Sequence, residues 1–257
     1  MGAIPLGDEA PRVEPPIANI SLILANVIIF VVGVTMPWLL LPGAKTYNEV
    51  VYELGLVPAR IVAGQRLYTI FTSMFLHGGI LHLLGNMLYL YIFGDNIENV
   101  MGSKRYVVFY ILSGVGATLF HVASIAFMPA KALANAALEQ GVSPWLVPAI
   151  GASGAISGVL GAYLILFPSA EIRVMTLWGF IPFFLRLPAS VYIIFWFVYQ
   201  LMLGLSTALT GVSAGIAFWA HVGGFLTGMA LTPLFVDKKR LIRVYLEYRL
   251  AHMGFIY

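Results

Sequence analysis

Charged positions cut this chain into long uncharged runs, and the runs predict its elements. Ile17–Leu41 carries no Asp, Glu, Lys or Arg. Gly79–Gly94 lies in a second run, between Arg66 and Asp95, and Tyr106–Met128 and Gly151–Pro168 follow. The last run, Leu187–Val236, is about twice the roughly 20 residues that one membrane crossing needs, and 204-GLSTALTG-211 has the turn-like composition to divide it. Six spans result. The stretch 174-VMTLWGFIPFFL-185 holds Pro182 and is too short to cross, so it is expected to be interfacial or folded back. Positions 42–71 mix amphipathic with Pro- and Gly-containing pieces, which predicts a structured first loop lying partly in the interface.

Composition fixes the solvent. The chain is 60% hydrophobic and 10% charged, with mean hydropathy +0.92. A soluble domain carries about a quarter charged residues, so this is an integral membrane protein. Cysteine is absent, which excludes disulfides, thiolate metal sites and Cys nucleophiles. The segment 1–16 is polar and Pro-rich, unlike a signal or transit peptide, and Leu6 breaks the myristoylation pattern. Three parts are therefore expected: a segment 1–16, a membrane domain 17–236 and a basic tail 237–257 that lies along the headgroups.

The charges also set an orientation. Lys104, Arg105, Arg173, Lys238, Lys239, Arg240, Arg243 and Arg249 fall on one side of a six-span layout. Lys45, Arg60, Arg66 and Lys131 fall on the other. The excess puts both termini in the cytoplasm, and a prokaryotic plasma membrane is expected. The pI near 9.1 follows from this topology and is not a nucleic-acid footprint.

Polar residues inside spans are costly, so each is a functional candidate. His82 precedes Gly94 by twelve residues, Ser153 precedes Pro168 by fifteen, and His221 precedes Val236 by fifteen. At 1.5 Å per residue the three stand ~18, ~22 and ~22 Å above the inner boundary, one layer in a core about 30 Å thick. Asn86 shares the His82 face. Ser153, Ser157 and Gly161 form one ridge, and Gly154, Gly158 and Ala162 the next. Ala220, Gly224 and Gly228 flank His221. Small-residue ridges let helices approach closely, so spans four and six can hold Ser153 against His221. His121 and His252 are expected to do nothing comparable.

Other ways of cutting inside a membrane are absent. There is no HExxH motif, and Asp8, Asp95 and Asp237 all lie at or outside the expected span ends. A hydroxyl is the available nucleophile, and histidine is the available base.

The motifs 77-HGGILHLLGN-86, 151-GASG-154 and 220-AHVGG-224, with 93-FGDNIENVMGSKRYVVFYILSG-114 including Glu98 and Gly102, resemble the rhomboid family of intramembrane serine proteases. The resemblance implies an all-α, six-helix membrane bundle acting as an endopeptidase near the outer leaflet. It makes Ser153 the nucleophile and His221 its general base, with His82, Asn86 and the Ser153 N–H as oxyanion donors. Gly151, Gly154, Ser157, Gly224, His77 and Glu98 would support them. No metal or cofactor is implied. The partners would be transmembrane protein substrates and lipid, reached laterally between spans two and five, with no nucleic acid and the oligomeric state open. Two positions depart from the family. Tyr68 and Thr69 stand where many bacterial members carry Trp-Arg, so the first loop is expected to be anchored to the interface more weakly or differently. Ser157 stands where some members place a Tyr against the catalytic His, and its hydroxyl could bond that imidazole or merely fill the ridge. A catalytically inactive rhomboid-like client binder and a small transporter remain as alternatives.

Overall fold

The uncharged runs fold as helices in a computed structural model that describes residues 4–178, 181–212 and 216–252. After strand β1 (Ile4–Asp8), helix α1 (Ile17–Thr35) ends where Pro37 starts the short α2 (Pro37–Leu40). The first loop continues with α3 (Tyr47–Leu54), α4 (Pro58–Val62) and α5 (Thr69–Thr72). Then come α6 (Ile80–Met101), α7 (Ser103–Ala126), α8 (Ala130–Gln140) and α9 (Ser153–Leu166). Strands β2 (Glu171–Trp178) and β3 (Ile181–Pro188) precede α10 (Ala189–Thr210), α11 (Phe218–Phe235) and α12 (Lys238–His252). The six expected spans correspond to α1, α6, α7, α9, α10 and α11. By length and apolarity α1, α7 and α10 each reach across a membrane alone. Residues 69–75 with α6, bent by 94°, and α11 with the start of α12, bent by 101°, are apolar enough only as pairs, so the described residues hold three such helices, or up to five if each bent pair is one span. At 14 residues α9 is shorter; it rises ~21 Å.

Two expectations change, and a third, the folding back of 174–185, is made specific. First, α6 does not stop at Gly94. It runs two further turns to Met101, with Asp95 and Glu98 both buried. These carboxylates do not end the helix because each has partners. Asp95 is paired with Arg12. Glu98 accepts the backbone N–H groups of Ala18 (3.0 Å) and Asn19 (2.7 Å) and the Ser103 hydroxyl (2.6 Å). A carboxylate on the otherwise unsatisfied N–H groups of a helix start also meets the positive end of its dipole. Second, the long run divides at the last residue of 204–211, not in its middle. Gly204 stays helical, and Thr210 returns its hydroxyl to the Ser206 carbonyl at 2.8 Å, as hydroxyl side chains in helices do. Gly211, at φ +81°, closes α10. Third, 174–185 folds back as a hairpin. Its strands pair antiparallel from Glu171↔Pro188 to Trp178↔Ile181, and β1 adds to β2, giving the order β1-β2-β3. Glu171–Val174 alternates polar and apolar residues, but 175–184 does not, so the sequence lacked a sustained strand period.

The amino-terminal segment is docked at this sheet end of the bundle. Asp8 accepts from Asn96 (2.7 Å) and from the Tyr163 hydroxyl (2.5 Å). The Val13 and Glu14 N–H groups bond the Asn99 side chain at 3.0 and 2.7 Å. Glu14 in turn pairs with Arg240 (2.8 Å) and Arg243 (2.9 Å) of α12. Both ends of the described chain therefore meet at one end of the bundle, opposite the first loop.

Candidate active site

Two seams bring the polar residues together. On one side α9 meets α11 through glycine. A Cβ placed on Gly224 would stand 1.9 Å from the Gly154 carbonyl oxygen, and one on Gly228 2.2 Å from that of Gly158. No side chain fits there, and the backbones are in contact. This seam sets Ser153, the first residue of α9, beside His221, one turn into α11. The Ser153 Oγ lies 2.8 Å from His221 Nε2. Both face a cavity of about 640 Å³, also lined by His82, Asn86, Trp196 and Gln200.

The α6 wall of that cavity presents donors. The Gly78 N–H donates to His82 Nδ1 at 3.3 Å. A neutral His82 ring therefore carries its hydrogen on Nε2. Gly151 lies next to that atom: a Cβ on it would be 2.9 Å from His82 Nε2 and 3.6 Å from Ser153 Oγ. Its φ of +127° belongs to the region that L side chains rarely adopt. Glycine at 151 is thus required by backbone and by space, and His82 Nε2 and Ser153 Oγ both lie close over it. Asn86 follows one turn after His82. It is buried, and its Nδ2 makes no hydrogen bond within the protein. Such a buried donor is costly to leave unmade, unless a ligand atom is to use it. The N-terminus of α9 points its unbonded N–H groups at the same place; the first one bonded within the helix is Ile156, to the Ala152 carbonyl.

His77 is fully buried, with its ring edge-on to His82 at 5.2 Å. Its backbone is held by a single hydroxyl. Tyr47 Oη donates to the His77 carbonyl and accepts the His77 N–H, both at 3.0 Å. This is where the first loop is anchored. Thr72 Oγ1 to the Leu54 carbonyl (2.6 Å) and the bridge between Leu56 and Ala149 complete it. Tyr68 is half exposed and Thr69 is buried.

Other expected contributors lie elsewhere. The Ser157 hydroxyl donates to the Ser153 carbonyl at 2.6 Å and does not bond the imidazole. Of the two readings of Ser157, the ridge residue is the one seen, because a serine mid-helix bonds the carbonyl four residues back. Glu98 is at the sheet end, occupied with α1, and is twelve residues beyond Asn86, ~18 Å along the axis. His121, from which nothing comparable was expected, lines a cavity of about 120 Å³ with Trp219 and also a smaller one of about 50 Å³ that Gly151 and Ser153 share. The His252 side chain lies outside the described residues.

Two residues of α10 join the site without having been singled out in the sequence. Gln200 Oε1 lies 2.8 Å from His221 Nδ1. The Trp196 ring lies beside the His221 imidazole, centroids 6.2 Å apart and tilted by 34°. The aromatic neighbour missing at Ser157 thus comes from another helix. The signal was available: Gln200 is an uncompensated polar residue inside an uncharged run, the criterion that picked out the histidines.

The family model for the Rhomboid domain matches residues 64–238, about two thirds of the chain. This chain belongs to the rhomboid family. With its apolar helices, membership makes it a multi-pass integral membrane protein. The RHOMBOID-like protein 6, mitochondrial, of Arabidopsis thaliana is 29% identical over 172 residues, 67% of this chain and 45% of that protein. The Rhomboid protease GluP of Bacillus subtilis is 28% identical over 221 residues, 84% of this chain and 36% of GluP. The Rhomboid protease AarA of Providencia stuartii is 27% identical over 172 residues, 67% of this chain and 57% of AarA. The chain thus spans between about a third and just over half of these relatives' lengths. Plant and bacterial rhomboids both match, so a prokaryotic membrane is not singled out. The rhomboid match takes in His82, Ser153, Gln200 and His221, whereas Tyr47 and β1 precede it.

Proposed function

We propose that this protein is an intramembrane serine endopeptidase that cleaves transmembrane segments of other membrane proteins. The observation that carries the reading is the 2.8 Å contact of Ser153 Oγ with His221 Nε2 at the wall of a cavity lined by unused donors. Ser153 Oγ attacks the scissile carbonyl carbon while His221 Nε2 takes its proton. The carbonyl electron pair moves to oxygen, and the oxyanion sits over Gly151 among His82 Nε2–H, Asn86 Nδ2–H and the Ser153 N–H. Collapse breaks the C–N bond, and His221 returns the proton to the leaving amine. Water then attacks the Ser153 ester, with His221 as base again.

A substrate must offer an extended stretch, because a helix hides its carbonyls. Small or helix-destabilising residues near the outer end of its span favour this. The cavity wall is split between α6 and α10 above the Tyr89–Tyr192 hydroxyl pair, 2.6 Å apart, which supports lateral access there. The termini belong in the cytoplasm: β1 and the basic α12 share the sheet end, with Lys104 and Arg105 at the start of α7.

The test uses purified protein reconstituted with a single-span substrate. Wild type should cleave it and react with a fluorophosphonate. Ser153→Ala and His221→Ala should abolish cleavage, and Ser153→Ala should abolish labelling. A wild type that binds the substrate without cutting it is a client binder, and the peptidase reading is then wrong.

A further inference from the structure

We infer that Gln200 is a positioning residue for His221, fixing the imidazole in the tautomer that proton abstraction needs. The inference deepens the peptidase reading and rests on it for the meaning of kcat, but the geometry stands independently.

The chemistry follows from which ring nitrogen holds the hydrogen. A neutral imidazole has one N–H and one lone pair. To take the Ser153 proton, Nε2 must present the lone pair, so Nδ1 must carry the hydrogen. An unpartnered buried Nδ1–H is unfavourable, and the ring would otherwise relax to the other tautomer, in which Nε2–H donates to Ser153 Oγ and cannot accept from it. Gln200 Oε1, 2.8 Å from Nδ1, is the acceptor that holds the productive form. It also fills the position a carboxylate occupies in soluble serine hydrolases, with a group that brings no formal charge into the bilayer.

The placement of Gln200 is built rather than incidental. Trp196, Gln200 and Gly204 recur every four residues and share one face of α10. Trp196 contacts the His221 and Phe225 rings. Gly204 accepts the Trp219 Nε1–H at 2.9 Å. The turns above and below Gln200 are therefore both fastened to α11, and Gln200 itself is buried. With α10 held at two points, the amide meets the ring at a fixed height.

Gln200→Leu removes the acceptor at similar volume, and Gln200→Glu keeps one whether ionised or protonated. We expect Gln200→Leu to lower kcat by roughly tenfold to a hundredfold with KM unchanged, and fluorophosphonate labelling to slow by the same factor. Gln200→Glu should return kcat to within a few-fold of wild type. Histidine ¹⁵N spectra should show His221 protonated at Nδ1 in wild type and a loss of that preference in Gln200→Leu. Wild-type kcat in Gln200→Leu, or a loss of kcat that only tracks a fall in Tm, would overturn the inference. So would an Nε2–H tautomer in the wild type. If the wild type neither cleaves nor labels, the peptidase reading fails. The ¹⁵N comparison still decides whether Gln200 sets the tautomer.

Discussion

His221 stands between two helices that hold it by different means. Towards α9 the contact is backbone on backbone, Gly224 on Gly154 and Gly228 on Gly158. Towards α10 it is made by large side chains, Trp196, Gln200 and Trp219, beside an open cavity. A glycine seam has no rotamers to change, so it sets distance, here the 2.8 Å between Ser153 and His221. A side-chain contact has direction, so it can set orientation and can be remade. The difference predicts that damage on the α9 side removes fold and function together, whereas damage on the cavity side removes function alone.

The largest effect is expected at the seam. Gly224→Leu should reduce cleavage by at least about 10²-fold, since ~1 Å of misplacement is enough for that. Its Tm should fall in parallel, because overpacking costs about 1–3 kcal/mol or more. Turnover at the wild-type rate with unchanged Tm would show that α9 and α11 do not depend on this contact. Next, Asn86→Ala should lower kcat by about 10²-fold, as loss of one oxyanion donor does, with KM and Tm nearly unchanged. A raised KM at constant kcat would make Asn86 a substrate-binding residue instead. Tyr192→Phe, which removes the hydroxyl pair under the cavity, should cost about 1 kcal/mol, or a Tm shift of about 2–4 °C. It should leave the rate of labelling of Ser153 by a small probe unaltered; slower labelling would make the pair part of the chemistry.

The smallest effect is expected far from both seams, at β1. Burial raises the Asp8 carboxyl above its ordinary value, outweighing the hydrogen bond from Tyr163 and the charge of Arg12. A raised value means that β1 docks best below the usual carboxylate range and loosens as pH rises through the raised one. Glu14 has the opposite sign: Arg240 and Arg243 hold it low, so its contribution is present above the usual range and is lost on acidification. Hydrogen exchange at residues 4–8, corrected for intrinsic rates, should lose protection as pH rises through the value of Asp8. Asp8→Asn should flatten that dependence. Protection that increases over the same interval would contradict the assignment.

The helices were legible because lipid forces a chain to run uncharged for about 20 residues at a time. The meeting of Ser153 and His221 was legible because a helix converts sequence spacing into height, whereas the height of His82 was counted from Gly94, which α6 runs past. Spacing gives height but not azimuth: the polarity of Gln200 within an uncharged run marks it as a candidate, but nothing in the sequence says which face of α10 turns towards α11. Asp95 and Glu98 misled because charge was read as a boundary, whereas Arg12 and the start of α1 satisfy both inside the fold. That 174–185 turns back was legible from its length and Pro182, but that it does so as strands was not, because residues 175–184 do not alternate apolar with polar. The Tyr47 anchor could not be read because its partners are backbone atoms, which every residue has.

The start of α9 at Ser153 has an electrical consequence. In the proposed reaction the oxyanion meets backbone N–H dipoles at a helix N-terminus, the Asn86 amide and the His82 ring. Among the described residues lining the cavity there is no Lys, Arg, Asp or Glu. In that reaction the negative charge would gather on the substrate oxygen over Gly151 and the positive charge on His221, a separation that crosses little of the bilayer. A membrane potential acts on a moving elementary charge with about 2.3 kcal/mol per 100 mV across the full thickness, but a dipole a few ångströms long samples only a small part of it. Turnover in sealed vesicles should thus be nearly independent of an imposed voltage, and nearly independent of salt, because no exposed ion pair in the site is there to be screened.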